Sequence, residues 1–220
     1  MGQSSQVTGA AGQVSPGRAA YLEAQRSRTR AAIVAGGRDV FAGTPYLRAT
    51  VDDILVAASI SRATFYQHFE SKTALAFAIY EEMRPEVQAL FDRIGDVDPR
   101  SHDAVVIWVR DYVALYERHR YVTSLLAQLQ LFEPTFRDRL KQDRDNFIAR
   151  LSAAGAGGFT GTTGDDEAAI IRRTRARLML ARLTFVAAEV AQAASLPPAE
   201  AQAYLHVAAD DLGAFLSSST

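Results

Sequence analysis

The chain has 220 residues, of which 48% are hydrophobic and 22% are charged, a composition typical of a folded protein rather than a disordered one. It contains no cysteine, which excludes disulfide frameworks, cysteine-ligated zinc sites and thiol catalysis. Residues 1–16 are rich in Gly, Ser and Gln and carry no apolar run, and no apolar stretch is long enough to span a membrane. We therefore expect a cytoplasmic protein whose residues 1–22 form a disordered N-terminal tail.

The rest of the chain is predicted to be helical throughout. Ala, Leu, Arg and Glu dominate it, and alternating β-branched runs bounded by turns are missing. The first helix is predicted over residues 24–41, and a break follows at residues 43–45. The fold class is therefore all-α.

Charge is distributed unevenly between the two ends of the chain. Residues 1–74 hold eight Lys or Arg and five Asp or Glu, which gives a net charge of +3. The remainder holds 16 Lys or Arg and 20 Asp or Glu, which gives a net charge of −4. A basic N-terminal unit on an acidic body fits a protein that presents one end to a polyanion, although chance could also produce a difference of this size.

Two short helices in the basic unit have the spacing of a helix-turn-helix. Thr50 and Asp53 form a capping-box pattern at the start of the first, and Ser61 is a cap for the second, which is predicted to end at His68. Ser71 can cap the helix that follows, which starts near Lys72. The second helix buries Phe65 and would expose polar side chains to the major groove of DNA. A plain three-helix bundle with a polar surface is the alternative.

The segment from residue 30 to residue 80 resembles the tetracycline-repressor (TetR) family of bacterial regulators. The resemblance rests on residues 50–54 (TVDDI) and residues 60–72 (ISRATFYQHFESK), and it covers about a quarter of the chain. It implies nine or ten helices, with a DNA-binding domain at residues 23–74 and an effector-binding and dimerisation domain at residues 75–220. The turn departs from the family pattern, because Ser59 stands where glycine is usual, so φ must stay negative or be strained.

The resemblance also assigns roles to individual residues. Phosphate-contacting positions correspond to Thr50, Tyr66, His68 and Lys72. Base-reading positions correspond to Arg62, Ala63, Thr64 and Gln67, and Ser61 opens the same DNA-binding segment.

Six further helices are predicted, at residues 72–94, 101–118, 121–131, 134–151, 165–194 and 198–216. Pro85 lies inside the first of these and is expected to kink or end it near Arg84, and we consider it a hinge for effector-driven tilting or simply a helix end. The glycine-rich residues 153–166 are expected to form a mobile linker, and the arginines of residues 172–177 a solvated helix face.

An aromatic-rich region is the candidate effector site, because the resemblance places the cavity there. Such a stripe is more often packed core than a ligand site, although a cavity is also mostly apolar. The candidates are Trp108, Tyr112, Tyr116, Phe132, Phe136, Phe147 and Phe185.

The two alanine-rich C-terminal helices are expected to form a homodimer, which would place two reading helices about 34–36 Å apart on a palindromic operator. The predicted function is a repressor released from DNA by a small apolar or aromatic effector. A DNA-organising or partner-binding protein of the same fold without an effector is the first alternative, and a helical enzyme or carrier is the second. No catalytic motif or cofactor motif is present, and the four histidines lie on separate predicted elements without metal-ligand spacing.

Overall fold

The computed structural model describes residues 16–192 and 196–218, so the predicted tail residues 1–15 and the predicted helix end at residues 193–194 lie outside the described part. Within these ranges the chain forms nine α-helices and two short 3-10 helices and no strand, which confirms the all-α prediction. The α-helices are α1 Pro16–Gly43, α2 Val51–Ala58, α3 Arg62–His68, α4 Lys72–Asp92, α5 His102–Arg118, α6 Arg120–Phe132, α7 Pro134–Ala153, α8 Glu167–Gln192 and α9 Pro198–Ser217. The 3-10 helices are Arg93–Asp96 and Gly157–Phe159.

The first helix is longer than its sequence pattern predicts. It begins at Pro16 rather than at residue 24, so residues 16–22 of the expected tail are its first two turns. Proline is favoured at the first helical position, and the following Ala19, Ala20, Leu22 and Glu23 are good helix formers. The apolar period that marks a packed helix begins only near Ile33, which is why the earlier turns escaped the pattern.

Helix α4 continues through Pro85 to Asp92, so the expected stop near Arg84 is wrong. Proline removes one backbone hydrogen bond, the bond to the carbonyl of Glu81. Packing compensates for this loss, because α4 contacts α1, α5, α6 and α7 along its length. The helix therefore runs without interruption from the N-terminal helices into the body of the protein.

The glycine-rich segment after α7 is packed and not a free linker. Phe159 is fully buried with its ring 4.9 Å from that of Phe215 on α9, and a Cβ atom on Gly157 would lie 2.0 Å from the Leu216 carbonyl oxygen. Two of the arginines expected on a solvated face hold this segment instead: Arg172 donates to the Gly161 carbonyl at 2.7 Å, and Arg173 donates to the Thr162 carbonyl at 3.0 Å. Glycine here permits close backbone approach.

A continuous hydrophobic core joins the N-terminal helices to the body. It begins with Ile33, Ile54 and Phe65 and extends through α4 to α9. Helices α5, α8 and α9 pack on one another, and α6 and α7 close the other side. None of the helices described is long and apolar enough to cross a membrane.

Candidate nucleic-acid interface and internal cavity

Helices α2, α3 and α4 each begin at a side-chain cap that the sequence predicts. Thr50 Oγ1 accepts from the Asp53 amide at 3.2 Å while the Asp53 carboxylate accepts from the Thr50 amide at 2.8 Å, so the capping box is confirmed. Ser61 Oγ accepts from the Thr64 amide, and Ser71 Oγ accepts from the Ala74 amide. These caps satisfy backbone donors that would otherwise lack a partner and fix where each short helix starts.

The turn between α2 and α3 is a tight left-handed helix end. Ser59 has φ 54° and ψ 46°, and it is the one residue other than glycine with positive φ in the described ranges. Its amide donates to the Val56 carbonyl at 3.2 Å and the Ile60 amide donates to the Leu55 carbonyl at 3.0 Å, the two bonds of a Schellman motif. The sequence left open whether Ser59 keeps a negative φ or is strained. Its φ is positive, so serine occupies the glycine-type position with strain.

Helix α3 has a buried side and an exposed polar side. Phe65 is fully buried and Phe69 nearly so, with ring centroids 6.0 Å apart, which anchors the helix to the N-terminal core. The predicted DNA-binding residues of this helix lie on the opposite side, where Ser61, Arg62, Ala63, Tyr66 and Gln67 are exposed and Thr64 and His68 are half-buried. The structure therefore brings these seven residues together on one surface.

Several of these side chains already have partners within the chain. Arg62 forms an ion pair with Asp52, and both side chains are more than half exposed. The Thr64 hydroxyl is 2.8 Å from the Ser61 hydroxyl, and the Thr50 hydroxyl donates to Asp53 at 2.7 Å. The hydrogen bonds from Thr50 lower the pKa of Asp53 below its usual value, which keeps this carboxyl ionised.

Lys72 differs most from its expected role. Its Nζ donates to the carbonyl oxygens of Tyr46 and Ala49, both at 2.7 Å, and lies 4.2 Å from the centre of the Tyr46 ring. Burial lowers the pKa of Lys72, and nearby Glu133 partly offsets this effect. An ammonium group has three N–H donors, so this lysine fastens the α1–α2 connection with two of them and keeps one for another acceptor.

A polar contact joins this connection to the body of the protein. The hydroxyl of buried Tyr46 donates to Glu133 Oε1 at 2.9 Å and lies 2.9 Å from the Thr73 hydroxyl. Burial is the main reason that the pKa of Tyr46 rises to about 12, so its hydroxyl stays a neutral donor. Glu133 is the residue from which α7 begins, so the contact links the N-terminal helices to that helix.

A cavity of about 410 Å³ lies inside the body, within the usual size range of small-molecule sites. Its apolar wall combines one side of α4 with side chains from α6, α7 and α8, namely Tyr80, Met83, Val87, Phe91, Leu126, Leu140, Phe147 and Leu180. Charged residues also line it: Arg84, Asp143, Arg144 and Arg150. Sequence reasoning missed the α4 contribution, although the spacing of Tyr80, Met83, Val87 and Phe91 is that of one helix face.

A chain of hydroxyl groups crosses the cavity wall. Tyr112 donates to the Tyr116 hydroxyl at 3.2 Å, so its 3.3 Å contact with Thr184 has threonine as the donor. Burial raises the pKa of Tyr112 well above its usual value, which keeps this hydroxyl protonated. Among the described residues the Tyr116 hydroxyl hydrogen has no acceptor, so the chain ends in a donor at the cavity.

The predicted effector residues divide into those that line this cavity and those that do not. Tyr112, Tyr116 and Phe147 line it. Trp108 and Phe136 are buried elsewhere in the core, with the Trp108 indole donating to the Leu90 carbonyl at 3.1 Å. Phe132 and Phe185 are about half exposed on the surface.

Phe185 belongs to an apolar stripe on the outer face of α8. Ile171, Leu178 and Phe185 recur every seven residues and are 44%, 64% and 55% exposed. Val207 is similarly exposed on the neighbouring α9. Apolar side chains at this spacing form a seam that suits packing against another helix.

Two histidines that the sequence analysis treated as separate lie side by side. His102 Nε2 is 3.0 Å from His206 Nδ1, and His102 Nδ1 is 3.0 Å from an Asp210 carboxylate oxygen. The contact between α5 and α9 brings them together, which spacing along the chain could not reveal. Across residues 16–192 and 196–218, no group of three or more His, Cys, Asp or Glu side chains is arranged to hold a metal ion.

Two capped short helices joined by a tight turn, the second with an exposed polar face, define a helix-turn-helix protein of the DNA-binding class. The family model for bacterial regulatory proteins of the tetR family matches residues 33–79, which span this unit. The chain is also 29% identical over 168 residues to the HTH-type transcriptional regulator AlkX of Mycobacterium tuberculosis, an alignment that covers 73% of this chain and 77% of that protein. Residues 33–79 therefore match the DNA-binding unit of the tetR family, and the chain as a whole is similar to a transcriptional regulator.

Solved structures show the same fold over most of the chain. A transcriptional regulator from Aquifex aeolicus VF5 is similar with a TM-score of 0.55 and 17% identity, covering 83% of this chain and 96% of that one. A tetR-family regulator from Mesorhizobium loti is similar with a TM-score of 0.56 and 16% identity, covering 87% and 96%. At this identity the likeness concerns architecture alone.

Proposed function

We propose that the protein is a homodimeric, ligand-responsive repressor that releases a palindromic operator when a small apolar or aromatic effector binds in its body. The observation that carries the DNA-binding part is the exposed polar side of α3, held outward by buried Phe65 and Phe69. A protein that binds operator DNA must be in the same compartment as that DNA, so the proposed location is the cytoplasm.

The DNA-binding roles follow the exposed surface of α3. Arg62, Ala63, Thr64 and Gln67 are proposed to read base edges, and Thr50, Ser61, Tyr66, His68 and Lys72 to contact the backbone. Arg62 would exchange its Asp52 partner for a base, which involves little loss because the ion pair is exposed. Lys72 would use its remaining N–H for a phosphate.

Helix α4 is the proposed path from effector to DNA. We propose domains at residues 23–74 and 75–220, and α4 starts in the first and forms a cavity wall in the second. Its first turn carries Lys72 and Thr73, which contact the α1–α2 connection. An effector that binds one arrangement of α4 better than another would shift the position of the DNA-binding helices.

Operator recognition is tested by selecting bound duplexes from a random pool and measuring binding to the selected and scrambled duplexes. Arg62→Ala should reduce the preference for the selected duplex, with a loss of about 1–3 kcal/mol on that duplex. Exposed Arg110 on α5 supplies the matched control, because Arg110→Ala removes the same charge far from α3. If the wild-type protein enriches no sequence, the proposed function is wrong.

Effector binding is tested by thermal unfolding against a panel of small apolar and aromatic compounds that carry a hydrogen-bond acceptor. A bound compound should raise the melting temperature by mass action and release the selected duplex. Tyr116→Phe removes the free donor, so it should weaken the binding of compounds that carry an acceptor. Tyr121 lies outside the cavity, so Tyr121→Phe should leave their binding unchanged. Stabilisation by no compound would favour the alternative of a DNA-organising protein without an effector.

A further inference from the structure

The first turns of α1 project from the N-terminal domain. Residues 16–29, here named the N-terminal arm, precede the family match at residue 33, and α1 begins 17 residues before that match, a length of about 25 Å. Residues 17–28 are all exposed. A helix exposed on every side obtains little stabilisation from tertiary packing, so this segment is available to a partner outside the chain.

The arm is basic, and four of its polar side chains share one face. It carries three arginines and one glutamate. Arg18, Leu22, Gln25, Arg26 and Thr29 recur at intervals of three or four residues and therefore share a face of the helix. Arg28 points about 100° away from the centre of this face, by the rotation of 100° per residue.

This face forms one wall of an open groove of about 550 Å³ whose other wall is the proposed reading helix. Leu22, Gln25, Arg26 and Thr29 line the arm side, and the α3 side is formed by Thr64, Gln67 and His68. Apart from Leu22, every lining side chain can donate a hydrogen bond. A groove of this kind suits an anion with many acceptor oxygens.

Arg30 fixes the position of the arm relative to α3. Its guanidinium donates to the His68 carbonyl at 3.2 Å and lies 4.2 Å from the centre of the Phe69 ring. Partial burial, then the charges of Arg26 and Arg30, lower the pKa of His68. Two arginines of α1 therefore lie close enough to α3 to act on the same anion as His68.

We propose that the N-terminal arm is a second DNA-contacting element that holds the phosphate strand beside the groove occupied by α3. The inference rests on the proposed function, since α3 must lie in the major groove for that strand to reach the arm. Charge complementarity favours DNA as the occupant, because a phosphodiester strand is a continuous row of acceptor oxygens that fits a row of donors.

The test compares Arg26→Gln with Arg28→Gln in the full chain, two substitutions that remove equal charge from the same exposed helix. Binding to the duplex selected by the wild-type protein is measured over a range of salt concentrations. One lost phosphate contact should reduce the slope of log affinity against log salt by about 0.9, which corresponds to about a fivefold loss near 0.15 M salt. Arg26→Gln should show this loss, and Arg28→Gln should show a clearly smaller one.

Arg18→Gln separates the arm from any effect on α3, because Arg18 lies one turn before the groove-lining residues. Its affinity for the selected duplex should also fall about fivefold, and that of the Arg18→Gln, Arg26→Gln double variant about 25-fold. Hydroxyl-radical footprinting should show backbone protection outside the half-site that disappears in the double variant. Thermal unfolding of each variant should match the wild type, because the substituted side chains are exposed.

Three results would overturn the proposal. Equal losses for Arg26→Gln and Arg28→Gln would show a general effect of charge, and an unchanged footprint in the double variant would show that the arm does not reach the DNA. Stabilisation of the wild type by inorganic phosphate that Arg26→Gln abolishes, without any change in DNA binding, would identify a free-anion site instead. In each case the wild type still binds its selected duplex, so failure of the arm is distinct from failure of the proposed function.

Discussion

Replacing Ser59 by glycine should stabilise the N-terminal domain. The left-handed backbone conformation at φ 54° destabilises serine by roughly 1–2 kcal/mol, a steric cost that glycine avoids. Glycine also gives the unfolded chain more freedom, which costs about 0.4–1 kcal/mol. The side chain of Ser59 is exposed and makes no hydrogen bond in the described structure, so its removal loses little else. The expected net gain is about 0.5–1 kcal/mol, or about 1–4 °C in melting temperature.

Thermal unfolding at a fixed protein concentration measures this gain, since the proposed dimerisation would make the melting temperature depend on concentration. Amide hydrogen exchange at residues 59 and 60, which donate to the Val56 and Leu55 carbonyls, localises the effect to the turn. Ser59→Ala is the matched control, because it removes the hydroxyl but keeps Cβ and should change stability by less than about 0.5 kcal/mol. A loss of stability in Ser59→Gly, or an equal gain in Ser59→Ala, would refute the strain argument.

Three other substitutions test the remaining roles. Lys72→Met should lower the free energy of unfolding by about 2 kcal/mol without DNA present, because two backbone carbonyls lose a charged donor; unchanged stability would mean that the lysine serves DNA alone. A phosphate beside His68 should raise the lowered pKa of this histidine, so DNA binding should take up a proton and strengthen as pH falls from 8 to 6. This trend should vanish in His68→Gln, and a trend that persists in that variant would belong to another group. Leu178→Asp should convert the dimer to monomer in analytical ultracentrifugation, whereas Leu131→Asp, equally exposed on α6, should not; a dimer that survives the first change would exclude the α8 face as the interface.

The parts of the structure that local sequence dictates were predicted well. Caps at Thr50, Ser61 and Ser71 depend on residues three positions apart, and short-range hydrogen bonds decide them. Helix bounds in the body fall within a few residues of the predicted ones for the same reason. The buried and exposed sides of α3 follow from the spacing of Phe65 and Phe69, which places both on one side of the helix.

Features that depend on tertiary contacts escaped the sequence analysis. The two carbonyl acceptors of Lys72 lie 23 and 26 residues earlier in the chain, whereas the family resemblance assigned this lysine to phosphate. The glycine-rich segment has the composition of a linker, yet arginines of α8 hold its carbonyls and α9 packs against it. Which aromatic residues face the cavity depends on how five helices are rotated against one another, and local periodicity does not specify that rotation.

Under the proposed function, helix α4 would connect effector binding to DNA binding without a separate hinge. Its first turn fastens the α1–α2 connection through Lys72 and Thr73, and its middle forms a wall of the cavity. Because α4 continues through Pro85, a displacement at the cavity wall moves the first turn with it rather than being absorbed at a break. Glu133 adds a second link, since it accepts from Tyr46 at the point where α7, another cavity helix, begins. The N-terminal helices are therefore held at two points by helices that line the cavity, and under the proposed function a ligand that displaces either helix would change the angle at which α3 meets DNA.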